Sequence, residues 1–141
     1  MLIDRQEGLV PACHQAATTP YCAVDVEFNR RDTYAPEVAV VQIAGRGIPT
    51  VLLDTVKLPD PSPIAEFLKE PNCTKVIHSC SQDLEAFSVI CDTLPVNCID
   101  TQIAAAFCGY GFQLGFSSFV KACLDKEIDK RQQTSDWMQR P

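Results

Sequence analysis

Between Cys22 and Phe28 the chain alternates strictly: Cys22, Val24, Val26 and Phe28 stand against Ala23, Asp25 and Glu27. Successive side chains on a strand point to opposite faces, so this pattern predicts a half-buried strand over 21–28. Upstream, Leu9, Cys13 and Ala16 or Ala17 recur at helical spacing and predict a helix over 4–17. Pro11 falls inside that pattern and predicts a start or a kink there. Residues 29–36 are polar and close on Pro36, which reads as a loop. Residues 37–44 are apolar on both faces except for Gln42, the pattern of a central strand with one satisfied polar group in the core. Gly45-Arg46-Gly47 then makes a tight turn into a third strand over 50–53, so an antiparallel start is predicted.

The second half alternates helices with strands. Ser62 reads as an N-cap with Pro63 at the first helical position, Ile64, Phe67 and Leu68 form the apolar stripe, and Pro71 ends the helix. A strand follows over 75–78. Ser79 to Gln82 fits a capping box, opening a helix in which Asp83, Phe87 and Ile90 share one meridian. Glu85 lies off that meridian and is expected in solvent. Residues 96–99 form a fifth strand, Asp100 caps a helix over 101–107 that ends at Gly109 and Gly111, and Phe116, Phe119, Val120 and Cys123 mark a last helix. After the first helix the order is β-β-β-α-β-α-β-α-α. It predicts one α/β domain with a mixed five-stranded sheet, a three-stranded antiparallel start followed by parallel strands, flanked by helices.

Composition narrows the functional classes. The net charge of −6 over 141 residues argues against a basic coat for nucleic acid, although a nuclease site itself needs acidic residues. No apolar run reaches about 18 residues, so no membrane partner is expected. The start, Met1-Leu2-Ile3-Asp4-Arg5, lacks the pattern of a signal peptide, and a cytoplasmic location is expected. The eight cysteines include no Cys-x-x-Cys pair. Cys22, Cys98, Cys108 and Cys123 sit in apolar runs, which predicts buried, reduced thiols acting as small hydrophobes.

Three carboxylates stand out. Asp25 and Glu27 share one face of their strand with alpha carbons about 6.6 Å apart at 3.3 Å rise per residue. Two readings fit such like charges on an apolar strand: a lysine, an arginine or a hard divalent cation sits between them, or they face water on an edge strand. Asp83 lies on the buried stripe of its helix, in the first turn. It needs a positive partner there, or it accepts backbone amides at the helix start.

In sum, these blocks resemble the ribonuclease D family within the DEDD 3′–5′ exonucleases. The resemblance rests on Asp25-Val26-Glu27-Phe28 with Arg30, Thr33, Tyr34 and Val41-Gln42-Ile43. It continues through His78-Ser79-Cys80-Ser81-Gln82-Asp83-Leu84-Glu85-Ala86-Phe87, Asp100-Thr101-Gln102-Ile103-Ala104-Ala105 and Ser135-Asp136-Trp137-Met138-Gln139-Arg140-Pro141. It implies a ribonuclease H-like fold and hydrolysis of phosphodiester bonds at RNA 3′ ends, in structured RNA such as tRNA precursors. It further implies two Mg²⁺ or Mn²⁺ ions about 3.5–4 Å apart held by Asp25, Glu27 and Asp83, with Asp25 bridging and Glu27 orienting the attacking water. His78, Arg30 and Phe28 are implied as contacts to nucleic acid.

The family's third motif, Tyr-x-x-x-Asp, supplies a fourth carboxylate and normally follows the Trp-x-x-Arg-Pro segment. Here the only tyrosine followed four residues later by aspartate is Tyr21, and that aspartate is Asp25 of the first motif. Asp32 also stands where the family often has arginine. The expectation is an exonuclease domain over 1–141 that is incomplete at its C-terminal end, lacks the downstream helical nucleic-acid-binding domains and has impaired activity. The alternative is a nuclease-like module that binds nucleic acid without cleaving it.

Overall fold

The computed structural model describes residues 1–129 and 135–140. Strand β1 (Leu2–Ile3) is followed by helix α1 (Gln6–Ala17), then by strands β2 (Tyr21–Asn29), β3 (Glu37–Gly45) and β4 (Val51–Asp54). Helix α2 (Ser62–Lys69), strand β5 (Thr74–Ile77), helix α3 (Ser81–Cys91), strand β6 (Cys98–Asp100) and helices α4 (Thr101–Phe107) and α5 (Phe116–Leu124) complete the order. The strands form one mixed sheet in the order β1-β4-β3-β2-β5-β6. β2, β3 and β4 are antiparallel, and β5 and β6 continue parallel to β2.

The α/β class and the antiparallel start agree with the hydrophobic pattern, but the sheet has six strands rather than five. The extra one, β1, is two residues long and pairs in parallel with β4 through Leu2↔Leu52 and Ile3↔Leu53. A two-residue strand carries no readable periodicity. It is specified by its partner and by the terminal ammonium of Met1, which donates to the Thr50 carbonyl at 2.7 Å. Helix α1 runs unbroken through Pro11.

The core lies between one face of the sheet and α1, α2 and α3. Cys22, Val24 and Val26 of β2 join Val41 and Ile43 of β3 there, against Leu9, Phe67 and Phe87 of the three helices. Strand alternation turns Asp25 and Gln42 to the opposite face. α4 and α5 add little to this core: α4 buries only Ala105, and no residue of α5 is buried. This corrects the expectation for the cysteines. All eight are free thiols, but Cys98, Cys108 and Cys123 are exposed because their elements lie outside the main core.

Two helix starts also differ from the sequence reading. Ser62 is the first residue of α2 rather than its cap, and Asp60 Oδ1 accepts from the Ser62 amide at 2.9 Å. Ser79 makes no capping box; it takes a left-handed conformation with φ of 60°, and Cys80 is the N-cap of α3. The turn from β5 into α3 is held from outside by Asp100. Its Oδ1 accepts from the Ser79 amide and its Oδ2 from the Cys80 amide, both at 2.9 Å. A one-carboxylate clamp thus does what the Ser79 hydroxyl was expected to do.

Candidate active site

β2 carries Asp25 and Glu27 on the sheet face opposite the core. In the cross-strand register Asp25 stands opposite Gln42, which stands opposite Leu52; in the next row Glu27 stands opposite Val40, which stands opposite Asp54. The pairing then skips a residue, from Glu27↔Val40 to Phe28↔Val38, so Ala39 is the extra residue of a bulge. Bulges end regular pairing and re-aim neighbouring groups. Here the bulge lies directly beside the second carboxylate.

Asp83 approaches from the first turn of α3 and is 7% exposed. Its Oδ1 accepts from the Val26 amide at 3.0 Å, the peptide group between Asp25 and Glu27. The partners of this buried carboxylate are therefore backbone amides: its own, in the first turn of α3, as anticipated, and that of Val26 on β2. The Val26 bond ties the third carboxylate to the strand bearing the other two.

The three carboxyls feel one another's charges. Burial pushes the Glu27 carboxyl up to about 7, helped by the charges of Asp25 and Asp83. Burial and then the Asp25 charge push Asp83 up to about 6, against the opposing pull of the Val26 amide. Asp25 is also raised, by burial of its carboxyl, with the Val26 amide working the other way. Like charges crowded in a poorly hydrated place disfavour ionisation until a cation joins them. The donors are all carboxylate oxygens, the ligand type preferred by hard ions such as Mg²⁺ and Mn²⁺. The donor chemistry therefore fits a divalent cation. Among the described residues, no three or more His, Cys, Asp or Glu side chains stand close enough together to hold a metal ion as they are.

Gln42 is the group that sequence reading undervalued. Its Nε2 donates to Asp25 Oδ2 at 3.0 Å and lies 3.4 Å from Glu27 Oε1. It was expected as a satisfied polar residue of the core, and it is satisfied by the two carboxylates themselves. The signal was present as the single polar side chain within an apolar strand, but only the register reveals what it faces.

The remaining anticipated residues have partners within the protein. The Arg30 guanidinium makes two bonds to Glu85, Nη1 to Oε2 at 2.6 Å and Nη2 to Oε1 at 2.7 Å, and both Nε and Nη2 donate to the Tyr34 carbonyl. Glu85 is thus an ion-pair partner rather than a merely solvated group. The pair joins the β2–β3 loop to the helix that holds Asp83. His78 Nδ1 lies 2.9 Å from Thr101 Oγ1, and His78 Nε2 lies 3.0 Å from the Leu114 carbonyl, to which it must donate. Its ring stacks on Phe119 with centroids 5.8 Å apart. Phe28 is partly buried and packs against the core.

Asp100 is a cap, as its position suggested: Oδ1 also accepts from the Gln102 amide at 2.7 Å. Burial of its carboxyl works to raise its pKa, but the amides of Cys80, Ser79 and Gln102 outweigh that and hold it low. Of the closing block 135–141, Pro141 lies outside the described residues. Arg140 grips Asp54 through Nε and Nη2, both at 2.8 Å, and Nη2 also donates to the carbonyl of bulged Ala39 at 3.0 Å. Asp54 occupies the Glu27 row, two strands away, so this clamp fixes the closing segment beside the carboxylate face.

Comparisons with known proteins give the family and the fold. A family model described as a 3′–5′ exonuclease matches residues 1–141. Ribonuclease D of Pseudomonas paraeruginosa is 43% identical over 134 residues, covering 95% of this chain and 35% of that protein. The crystal structure of Escherichia coli RNase D, an exoribonuclease involved in structured RNA processing, superposes with a TM-score of 0.94 at 36% identity, covering 100% of this chain and 37% of that one. Trypanosoma brucei RNase D in complex with RNA U12 shares the fold, with a TM-score of 0.83 at 21% identity over 95% of this chain and 50% of that one. The chain thus spans little more than a third of the length of the curated relatives it matches. With a matching model along its whole length, the chain belongs to the 3′–5′ exonuclease domain family.

Proposed function

We propose that this chain is the exonuclease part of a ribonuclease D-type enzyme that hydrolyses the terminal phosphodiester bond of RNA, working inward from the 3′ end. The observation that carries the reading is the proximity of Asp25, Glu27 and Asp83: burial first, and then the charges of Asp25 and Asp83, raise Glu27 to about 7. In this reading Asp25, Glu27 and Asp83 hold divalent Mg²⁺ or Mn²⁺, two ions when the ligand set is complete. Bound there, such ions would activate water and stabilise the leaving oxygen. Glu27, whose carboxyl is raised to about 7 against about 6 for Asp83, is assigned the orientation of the attacking water. Asp83 is kept in register by the Val26 amide. Arg30 keeps a partly exposed guanidinium for an RNA phosphate beside its Glu85 pair. His78 and Phe28 are assigned to the RNA-facing frame, where they support the elements around the site.

Structured RNA, including tRNA precursors, is the proposed substrate class, by analogy with the RNase D relatives. Free thiols on every cysteine suit a reducing, cytoplasmic setting. Three carboxylates supply few oxygens for two ions, and no third motif occurs among these residues, so the 141-residue chain alone is expected to trim weakly. The test follows a 5′-labelled hairpin RNA with a 3′ tail in Mn²⁺, using this chain and a version with a Tyr-x-x-x-Asp helix appended. Progressive 3′ shortening by the extended protein, lost in EDTA and in Asp25→Ala, is expected. Unchanged trimming in Asp25→Ala overturns the assignment. RNA retained equally on filters with and without EDTA, with no trimming, identifies a binding module instead.

A further inference from the structure

Gln42 has no part in the three-carboxylate scheme, yet it touches two members of it. Asp25 and Glu27 are neighbours on the same strand face, and like charges so placed swing apart into water unless something draws them together. The Gln42 amide reaches across from β3 in register with Asp25 and lies 3.0 Å from Asp25 Oδ2 and 3.4 Å from Glu27 Oε1. An ionised carboxylate only accepts, so the amide must present its NH₂ to both, with its own oxygen turned away. The strand carrying Gln42 is held on both sides, by β2 and by β4, and Gln42 is half-buried between them. Its position is thus set by the sheet and not by a loop.

From this geometry we propose that Gln42 is a positioning residue for the cation site, resting on the metal-dependent reading above. It draws one oxygen of Asp25 and one of Glu27 toward β3 and leaves a second oxygen on each directed to the cation. The ordering cost of the two side chains is met when the sheet folds rather than when the metal binds. Side chains that hold metal ligands in this manner typically change metal affinity by about 10–100-fold when removed. Gln42 is not itself a ligand in this scheme, because its NH₂ faces the carboxylates and cannot coordinate.

The test is Mn²⁺ binding followed by electron paramagnetic resonance on the intact 141-residue chain, with no RNA and no turnover. Wild type is compared with Gln42→Leu and Gln42→Met, which keep bulk and remove the donor, and with Asp25→Asn. Circular dichroism and melting in EDTA establish that each variant is folded. The expected result is a 10–100-fold weaker Mn²⁺ affinity in both Gln42 variants, with melting in EDTA changed little. Equal affinity in wild type and the two Gln42 variants, alongside a loss in Asp25→Asn, overturns the positioning role and leaves the metal site standing. Affinity unaffected by Asp25→Asn, or none in wild type, overturns the metal site and this role with it. If Gln42→Leu does not fold, Gln42→Met decides; should neither fold, a purely structural role for Gln42 replaces the one proposed.

Discussion

Replacing Glu27 by glutamine is expected to stabilise the metal-free chain at pH 8 and to leave its stability at pH 5 nearly unchanged. In the folded state the carboxyl is pushed from its ordinary 4.5 up to about 7, first by burial, then by Asp25 and Asp83. Between those two values the folded chain holds a proton that the unfolded chain has released. Stability therefore falls as pH rises through that window and is level above it. Each tenfold step in proton affinity is worth about 1.4 kcal/mol, so the full difference corresponds to about 3 kcal/mol. Partial exposure of Glu27, and repulsion shared with Asp83, reduce the expected effect to about 1–2 kcal/mol. Asp83, raised to about 6, contributes in the same direction. The assay is urea unfolding in EDTA at pH 5, 6, 7 and 8. The Glu27→Gln midpoint should exceed wild type by roughly 0.5–1 M at pH 8 for a slope of about 1–3 kcal/mol/M. Mg²⁺ should then raise wild type more than the variant. A wild-type midpoint that climbs from pH 5 to pH 8 in EDTA, or equal midpoints of the two proteins at pH 8, would show that the carboxylates do not crowd one another.

Other parts of the structure give similarly direct expectations. Arg140→Met leaves the Asp54 carboxylate, whose side chain is 3% exposed, without its bidentate partner, and should cost about 3–5 kcal/mol in urea unfolding. The double variant Asp54→Leu with Arg140→Met should recover most of that loss, since both charges are then gone. Asp100→Ala removes the acceptor of three backbone amides and should cost about 2–4 kcal/mol, with a drop in Mn²⁺ affinity as α3 loosens; Asp100→Asn should lie between the two. Arg30→Ala breaks an ion pair at the surface and should change the urea midpoint little, while lowering the salt dependence of RNA binding measured by filter retention.

The candidate site was legible wherever its residues obey a local period. Asp25 and Glu27 interrupt an alternation of two, and Asp83 interrupts a helical stripe, so each announces a charge on a definite face. Its supports were not legible in the same way. Arg30 and Glu85 are 55 residues apart, and Arg140 and Asp54 are 86 apart. Nothing in the spacing of either pair says that they meet. Ser79 is instructive because its local pattern pointed to a capping box, whereas the backbone turned left-handed and the amides went to Asp100, 21 and 20 residues further on.

The amino-acid sequence by itself determined the order of elements after α1, the antiparallel start, the core stripe of each main helix and the faces on which the three candidate acidic residues stand. These follow from which side chains must leave water, and that choice repeats with the period of the strand or helix. Tertiary structure alone decided that Gln42 faces Asp25 and Glu27, that the Val26 amide holds Asp83, and that the exposed thiols lie on elements outside the core. Those outcomes depend on cross-strand register, on a bulge at Ala39 and on where a returning chain settles, and a local period carries no information about any of them. Asp25 and Glu27 could be named from five residues, but the physical problem they pose, two like charges drawn together by one amide beside a third, exists only once the strands are paired.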